Sequence, residues 1–225
     1  MDEGASTGRI AAAPPRRSRV AARHAASLIL LREGPAGLAV LMGRRGRSAR
    51  FMPGFYVCPG GRVADDDRRP WSGETDGANA FRRLARAALR ETFEETGILV
   101  GIPAPTDAAA ARLPIEAAYA AHGVVPDLGL LTYIGRAITP TASPLRFDTG
   151  FFLADGRHAV GGHADSAELD DVAWHSADPG AERAMSGVTR FMLARALAVW
   201  RGDSEPAPLY RHIGKRVYVG GRPVR

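Results

Sequence analysis

The sequence predicts an α+β domain in which a mixed sheet lies between helices as an α/β/α sandwich, and three observations predict it. Short runs of strand character recur along the chain, at residues 25–31, 38–42, 130–138, 146–153 and 171–174. Two longer segments carry helical spacing, residues 79–96 and 188–200. No stretch repeats at a fixed period, which excludes a solenoid or propeller. Strands interleaved with a few helices around one core define the layered class.

Taken in order, residues 1–19 are rich in Ala, Pro, Gly and Arg without period and read as a flexible arm. Residues 20–201 read as the folded domain and residues 202–225 as an irregular tail with one small strand at Arg216–Val219. The turn chemistry of Glu33-Gly34-Pro35-Ala36-Gly37 separates the first two strands. From Phe51 to Gly61, aromatic and β-branched residues flank prolines and glycines, the pattern of a short strand ending in a tight loop. Residues 64–79 carry Asp65-Asp66-Asp67, Pro70 and two glycines, and read as a surface excursion. The helix that follows stops naturally at Gly97. Residues 108–121 read as helical with an interruption at Pro114.

At 225 residues the chain can bury one sizeable core. Its 45% hydrophobic and 24% charged residues are ordinary for a globular domain. No apolar run approaches the roughly 18–20 residues that span a bilayer, and no secretory signal is legible. The single cysteine, Cys58, excludes an internal disulfide framework and a multi-cysteine zinc site; a cytoplasmic protein is expected. All but one of the 30 basic residues are arginine, Lys215 being the exception. A nucleic-acid surface would interleave such charges with stacking aromatics, a pattern not seen here. The expected partner is therefore a small molecule, with neither nucleic acid nor membrane, and the assembly is left open between monomer and homodimer. The densest basic run spans residues 44–50, and Arg44, Arg47 and Arg50 are its candidate substrate contacts, since guanidinium binds phosphate in bidentate fashion.

The chemistry concentrates on the 79–96 helix. At about 100° per residue, Phe81, Leu84, Ala85, Ala88 and Thr92 share one stripe that should face the core. Continuing that stripe reaches Glu95, a carboxylate where an apolar side chain is expected, with Glu91 and Glu94 on its flank. Like charges at i, i+4 repel, and the negative end of the helix dipole opposes them further. A divalent cation reverses both costs, and hard cations such as Mg²⁺ or Mn²⁺ take oxygen ligands. Arg90 stands four residues before Glu94 and can hold its rotamer. Upstream, Gly60-Gly61 permits close approach of the main chain to an ion or a phosphate.

Arg90-Glu91-Thr92-Phe93-Glu94-Glu95-Thr96-Gly97-Ile98 resembles the second half of the Nudix box, R-E-U-x-E-E-x-G-U with U apolar, departing only at Thr92. Pro59-Gly60-Gly61 resembles the glycines that open the box. The resemblance implies a Nudix fold and a diphosphate-cleaving hydrolase. It also implies a metal site of Glu91, Glu94, Glu95 and the Gly60 carbonyl, with Arg90 in the catalytic set. In many family members a later loop supplies a further glutamate, a place that Glu168 fits, with Asp170 as its nearest rival. One departure stands out: 28 residues separate Gly61 from Arg90, well over the usual spacing, with an insertion at about residues 68–79. Six positions after Gly61, where the box has glutamate, stands Asp67.

The lengthened box, the Phe51-Met52-Pro53-Gly54 approach and Arg146-Phe147-Asp148-Thr149 with Phe151-Phe152 resemble the peroxisomal coenzyme A diphosphatases and their bacterial relatives. That branch implies coenzyme A or acyl-coenzyme A as substrate. Two other readings stand beside it: a Nudix hydrolase of nucleotide sugars or dinucleotides, and a non-catalytic nucleotide-binding Nudix domain. Retention of all three helix glutamates argues against the last.

Overall fold

The computed structural model describes residues 20–49, 52–71, 79–213 and 216–223. The arm, Arg50 and the middle of the insertion therefore lie outside the described residues. In chain order the strands are β1 (Arg23–Gly34), β2 (Gly37–Arg45), β3 (Tyr56–Val57) and β4 (Gly60–Arg62), followed by helix α1 (Ala80–Thr96). Then come β5 (Leu99–Val100), β6 (Ile102–Pro103), α2 (Pro114–Ala121), β7 (Val124–Val125), β8 (Thr132–Ile138), β9 (Phe147–Asp155), β10 (Ala159–Val160) and β11 (Leu169–Ser176). Helix α3 (Gly187–Trp200) precedes β12 (Leu209–Ile213), β13 (Arg216–Val219) and β14 (Arg222–Pro223).

The main sheet runs in the order β11-β2-β1-β9-β8-β12-β13-β14 and is mixed, with β1 parallel to β9 and β8 parallel to β12. Its centre is β1, whose residues from Ala25 to Leu31 are all buried, as expected of a strand covered on both faces. Period-2 alternation sorts its side chains. Ala26, Leu28 and Leu30 join α1 and α2 in one core, and Ile29 and Leu31 join α3 in another. The result is the expected α/β/α sandwich.

One detail of the sheet positions the site. The second half of β1 pairs with β2, whereas Ala25, Ala26 and Ser27 pair with Arg62, Gly61 and Gly60 of β4. β4 thus fills the space where β2 diverges, and brings the two glycines to the middle of the sheet beneath α1.

Three expectations need correction. Pro114 opens α2 rather than interrupting a longer helix; at the first position its missing N–H costs nothing. Residues 108–110 form only a 3₁₀ turn. The segment after α3 is not irregular, because Leu209, Tyr210 and Arg211 pair with the open edge of β8. Finally, Trp71 is fully buried, packed at 6.2 Å from the Tyr119 ring, so the excursion is anchored in the core at that end.

Candidate active site

Helix α1 begins where the Asn79 side chain accepts the Arg82 N–H at 2.8 Å and ends at Gly97, whose φ of 74° closes the helix in the left-handed region. Ala85, Ala88, Thr92 and Glu95 form its buried stripe, as the sequence predicts. Thr92, the one departure from the box pattern, fits among apolar neighbours because its hydroxyl donates back to the Ala88 carbonyl at 2.7 Å. Phe81 departs from the expected stripe: it is 41% exposed, at the open end of the helix, and meets Phe152 at 5.4 Å and Tyr133 at 6.5 Å edge-on.

Close approach of the main chain requires a glycine at Gly60, and at Gly61 the missing side chain leaves room for Glu91. A Cβ on Gly60 would lie 2.4 Å from the Ala26 carbonyl oxygen, and one on Gly61 would lie 2.4 Å from the Glu91 carboxylate. The loop before them is tied down by the Leu28 N–H and the Ser27 hydroxyl, which both donate to the Pro59 carbonyl, at 3.0 and 2.9 Å. Because Pro59 and Val63 bond to β1, the antiparallel alternation turns the N–H and carbonyl of Gly60 away from β1. The Gly60 N–H is spent on Glu95, donating to its carboxylate at 2.8 Å.

Glu95 is 3% exposed. Burial pushes its carboxyl up to about 8, helped by the neighbouring charges of Glu91 and Glu168 and resisted by the Gly60 N–H and by Arg45. Glu91 is raised for the same leading reason, burial, with the charges of Glu94 and Glu168 adding to it and Arg90 opposing. Glu168 enters both balances although it lies more than 70 positions downstream in the chain. It sits on a turn fastened by the Ser166 hydroxyl, which accepts the N–H groups of Glu168 and Leu169, and its own carbonyl accepts the Gly46 N–H. Its rival Asp170 is engaged elsewhere, paired with Arg44 at 2.9 Å.

Arg90 acts as a brace. Its guanidinium donates to both oxygens of Asp67 at 3.0 and 2.9 Å, to Glu94 at 2.7 Å, to Glu91 at 3.0 Å and to the Arg62 carbonyl at 2.9 Å. Burial works against that charge, but Asp67, Glu91 and Glu94 outweigh it and hold the guanidinium above its ordinary value. Asp67 itself is fully buried and also accepts the Ala64 N–H at 2.7 Å. It faces Arg90, so its role is to hold the helix against the loop that carries the glycines.

The glutamates open onto a cavity of about 440 Å³ that includes Gly60, Gly61, Glu91, Glu94 and Glu168. From there it extends over the α3 face along Ile29, Phe147, Phe151, Val188 and Met192. Of the arginines singled out in the sequence, Arg44 is tied to Asp170, Arg47 is an exposed turn residue, and neither lines this cavity; Arg50 is outside the described residues. The arginines that do line it are Arg62 and Arg45, the latter 3.9 Å from Glu168. The Arg45 Nε is buried without a hydrogen-bond partner among the described residues, an arrangement that folded proteins rarely leave unanswered. Strand parity was the signal for it: Leu41, Gly43 and Arg45 alternate onto the α1 face, and Arg44 onto the other.

The donors are all oxygens, three of the carboxylates feel one another's charge, and the Gly60 carbonyl is turned away from β1, a set that suits a hard divalent cation. Among the described residues no three carboxylates converge on a single cation position, since Glu94 is turned to Arg90 and Glu95 to Gly60. Glu95 is buried in place, whereas Glu94 and Glu168 have side chains 52% and 67% exposed and so have room to rotate. Cys58 is no rival centre: burial pushes its thiol up to about 12 and leaves it protonated.

No family model matches the chain. Solved structures do. A Nudix hydrolase from Alicyclobacillus acidocaldarius is 32% identical over 79% of this chain and 92% of its own, with a TM-score of 0.60. A MutT/Nudix family protein from Enterococcus faecalis (15% identity, 86% of this chain and 68% of that one, TM-score 0.51) shares the fold. So does the Nudix domain of NrtR from Shewanella oneidensis, solved with ADP ribose (14% identity, 84% and 94%, TM-score 0.51). The chain belongs to the Nudix hydrolase family. It is an enzyme of that class, acting on diphosphate-containing substrates.

Proposed function

We propose that this hydrolase cleaves the diphosphate of coenzyme A or a short acyl-coenzyme A, using Mg²⁺ or Mn²⁺ held by Glu91, Glu94, Glu95, Glu168 and the Gly60 carbonyl. The observation that carries the substrate reading is the cavity. Its polar end is built of glutamates, glycines and Arg45, and the remainder is lined largely by Ile29, Phe147, Phe151, Val188 and Met192. A diphosphate joined to a long, weakly polar arm matches that gradient better than one flanked by two sugars. Phe147, Thr149 and Phe151 reach it as alternate residues of β9, so the motif resembling the coenzyme A branch forms one wall of it.

When bound, the cation neutralises phosphate charge and lowers the pKa of a coordinated water. The chain's own residues do the rest. Arg45, at the polar end of the cavity, offers its guanidinium to a phosphate oxygen, a charge-assisted bond. Arg90 and Asp67 fix α1 against β4, so that the glutamates keep their spacing. In this reading one of the glutamates that hold the cation accepts a proton from an attacking water, and the exposed Glu168 is our candidate. The test compares kcat/KM for coenzyme A, dephospho-coenzyme A, ADP-ribose and NADH with Mg²⁺, products read by mass spectrometry. Coenzyme A should be preferred, yielding a 4′-phosphopantetheine and adenosine 3′,5′-bisphosphate, and chelator should abolish turnover. A preference for ADP-ribose or NADH rejects the coenzyme A reading and leaves the diphosphatase standing.

A further inference from the structure

A second cavity, of about 520 Å³, lies on the α1 face of the sheet. His24 of β1, Tyr133 and Arg136 of β8, and Asp148 and Gly150 of β9 form its floor, and β4 with the first turns of α1 forms its wall. His24, Asp148 and Gly150 fall on the same alternation as Ala26, Leu28 and Phe152, which pack beneath α1. The cavity onto which the glutamates open is lined instead by Ile29, Thr149 and Phe151, on the opposite alternation. The sheet therefore stands between this floor and the apolar end of the first cavity, whose polar end with Glu91 and Glu94 is on α1, and Arg62 borders both cavities.

The charge of this second lining is one-sided. Arg23, Arg62, Arg68, Arg83 and Arg136 surround it, against the single carboxylate of Asp148. Asp148 is already committed, taking Arg136 through both guanidinium arms with His24 at 3.8 Å. Arg68 pairs with Asp65 at 3.1 Å. Arg23, Arg62 and Arg83, from three different elements, make no ion pair among the described residues. Without a partner among the described residues, three guanidiniums lining one concavity repel one another, and a bound anion turns that repulsion into attraction. Phosphate is the anion whose oxygens fit the guanidinium fork. Beside them, Tyr133 offers an aromatic surface, itself supported edge-on by Phe152 at 5.6 Å and Phe81 at 6.5 Å.

We propose that this cavity on the α1 face is a second ligand site, separate from the one where substrate is cleaved, and that it takes a phosphate monoester carried on a ring, such as a nucleoside monophosphate. The site does not depend on the coenzyme A reading or on the metal.

The experiment uses the full chain in chelator at low salt and titrates AMP, inorganic phosphate and adenosine by calorimetry. AMP should bind wild type, and adenosine should not. The Arg23→Gln/Arg83→Gln double variant should weaken AMP at least about tenfold, the loss expected when charged hydrogen bonds are removed. Arg83→Lys, which keeps a point charge, should recover part of it, and circular dichroism should show all variants folded. With Mg²⁺, kcat and KM for the cleaved diphosphate should be the same in the double variant as in wild type. Equal AMP binding in wild type and double variant, or none to wild type at millimolar AMP, overturns the proposal. A raised KM with unchanged kcat overturns its separateness, by showing that the cavity receives part of the substrate.

Discussion

Glu95→Gln separates the cost of the metal site from its use. The change keeps shape and keeps an oxygen to accept the Gly60 N–H, but removes the charge. In the metal-free protein the Glu95 carboxyl, ordinarily 4.5, is pushed up to about 8, burial being the leading cause. At about 1.4 kcal/mol per tenfold change in proton affinity, its ionised form lies about 5 kcal/mol uphill in the fold. The proton is held more tightly by the folded than by the unfolded chain. Stability from this group is therefore complete below pH 4.5, falls as pH rises towards 8, and stays low above that. In chelator, wild-type Tm should drop across this window, while Glu95→Gln should be flatter and more stable at pH 8.5. At about 2–4 °C per kcal/mol for a domain of this size, the gain is several degrees and at most about 20 °C. Adding Mg²⁺ should raise wild-type Tm more than that of the variant, because a cation that binds only the folded, ionised site removes the cost. The same variant, and Glu94→Gln, should each lower kcat by about a hundredfold or more with the fold intact. Differential scanning fluorimetry from pH 5 to 9, with and without metal, reads the first effect, and steady-state kinetics the second. Parallel pH profiles for wild type and variant in chelator would refute the placement of strain at Glu95, and normal turnover in both variants would refute its role.

Two further predictions concern what surrounds the glutamates. Asp67→Ala leaves the Arg90 guanidinium without its buried partner and should cost about 3–5 kcal/mol in chemical denaturation, with kcat falling more than KM changes because the glutamates lose their spacing; unchanged kinetics would show that Glu91 and Glu94 suffice to position Arg90. Trp71→Ala empties a fully buried site and should cost about 3–5 kcal/mol; a stability within 1 kcal/mol of wild type, measured by the same assay, would contradict its place in the core.

What was legible in the sequence was what local periodicity carries. The α1 stripe, broken by a carboxylate at Glu95, marked the site because a buried charge on an apolar face needs a reason. The central strands were legible for a similar reason: β1 is buried on both faces, so its apolar run is continuous. Arg45 was not legible to the same degree. Its direction depends on strand parity, and with β2 expected to end at residue 42 the basic run reads as a loop, from which Arg44, Arg47 and Arg50 are selected and Arg45 is passed over. A one-residue change of register exchanges the faces, so identifying the right arginine requires the sheet. β12 was missed because nothing in Leu209–Ile213 announces a strand; the open edge of β8 supplies its pairing.

The insertion shows why a lengthened box still yields a compact site. Both of its ends are fastened independently of its length: Asp67 and Trp71 at one side, and the Asn79 cap at the other. The contacts that set the site geometry reach across it, from Gly60 to Glu95, from Arg62 to Arg90 and from Asp67 to Arg90. Closing a longer loop between fixed ends adds only about 0.6 kcal/mol per doubling of its length. That is small beside the buried Asp67–Arg90 pair. Spacing along the chain is therefore a weak constraint on this site, and the ties between β4 and α1 are the strong one. Asp67, five residues beyond Arg62 yet fully buried against Arg90, is where the chain leaves the site and the added residues begin.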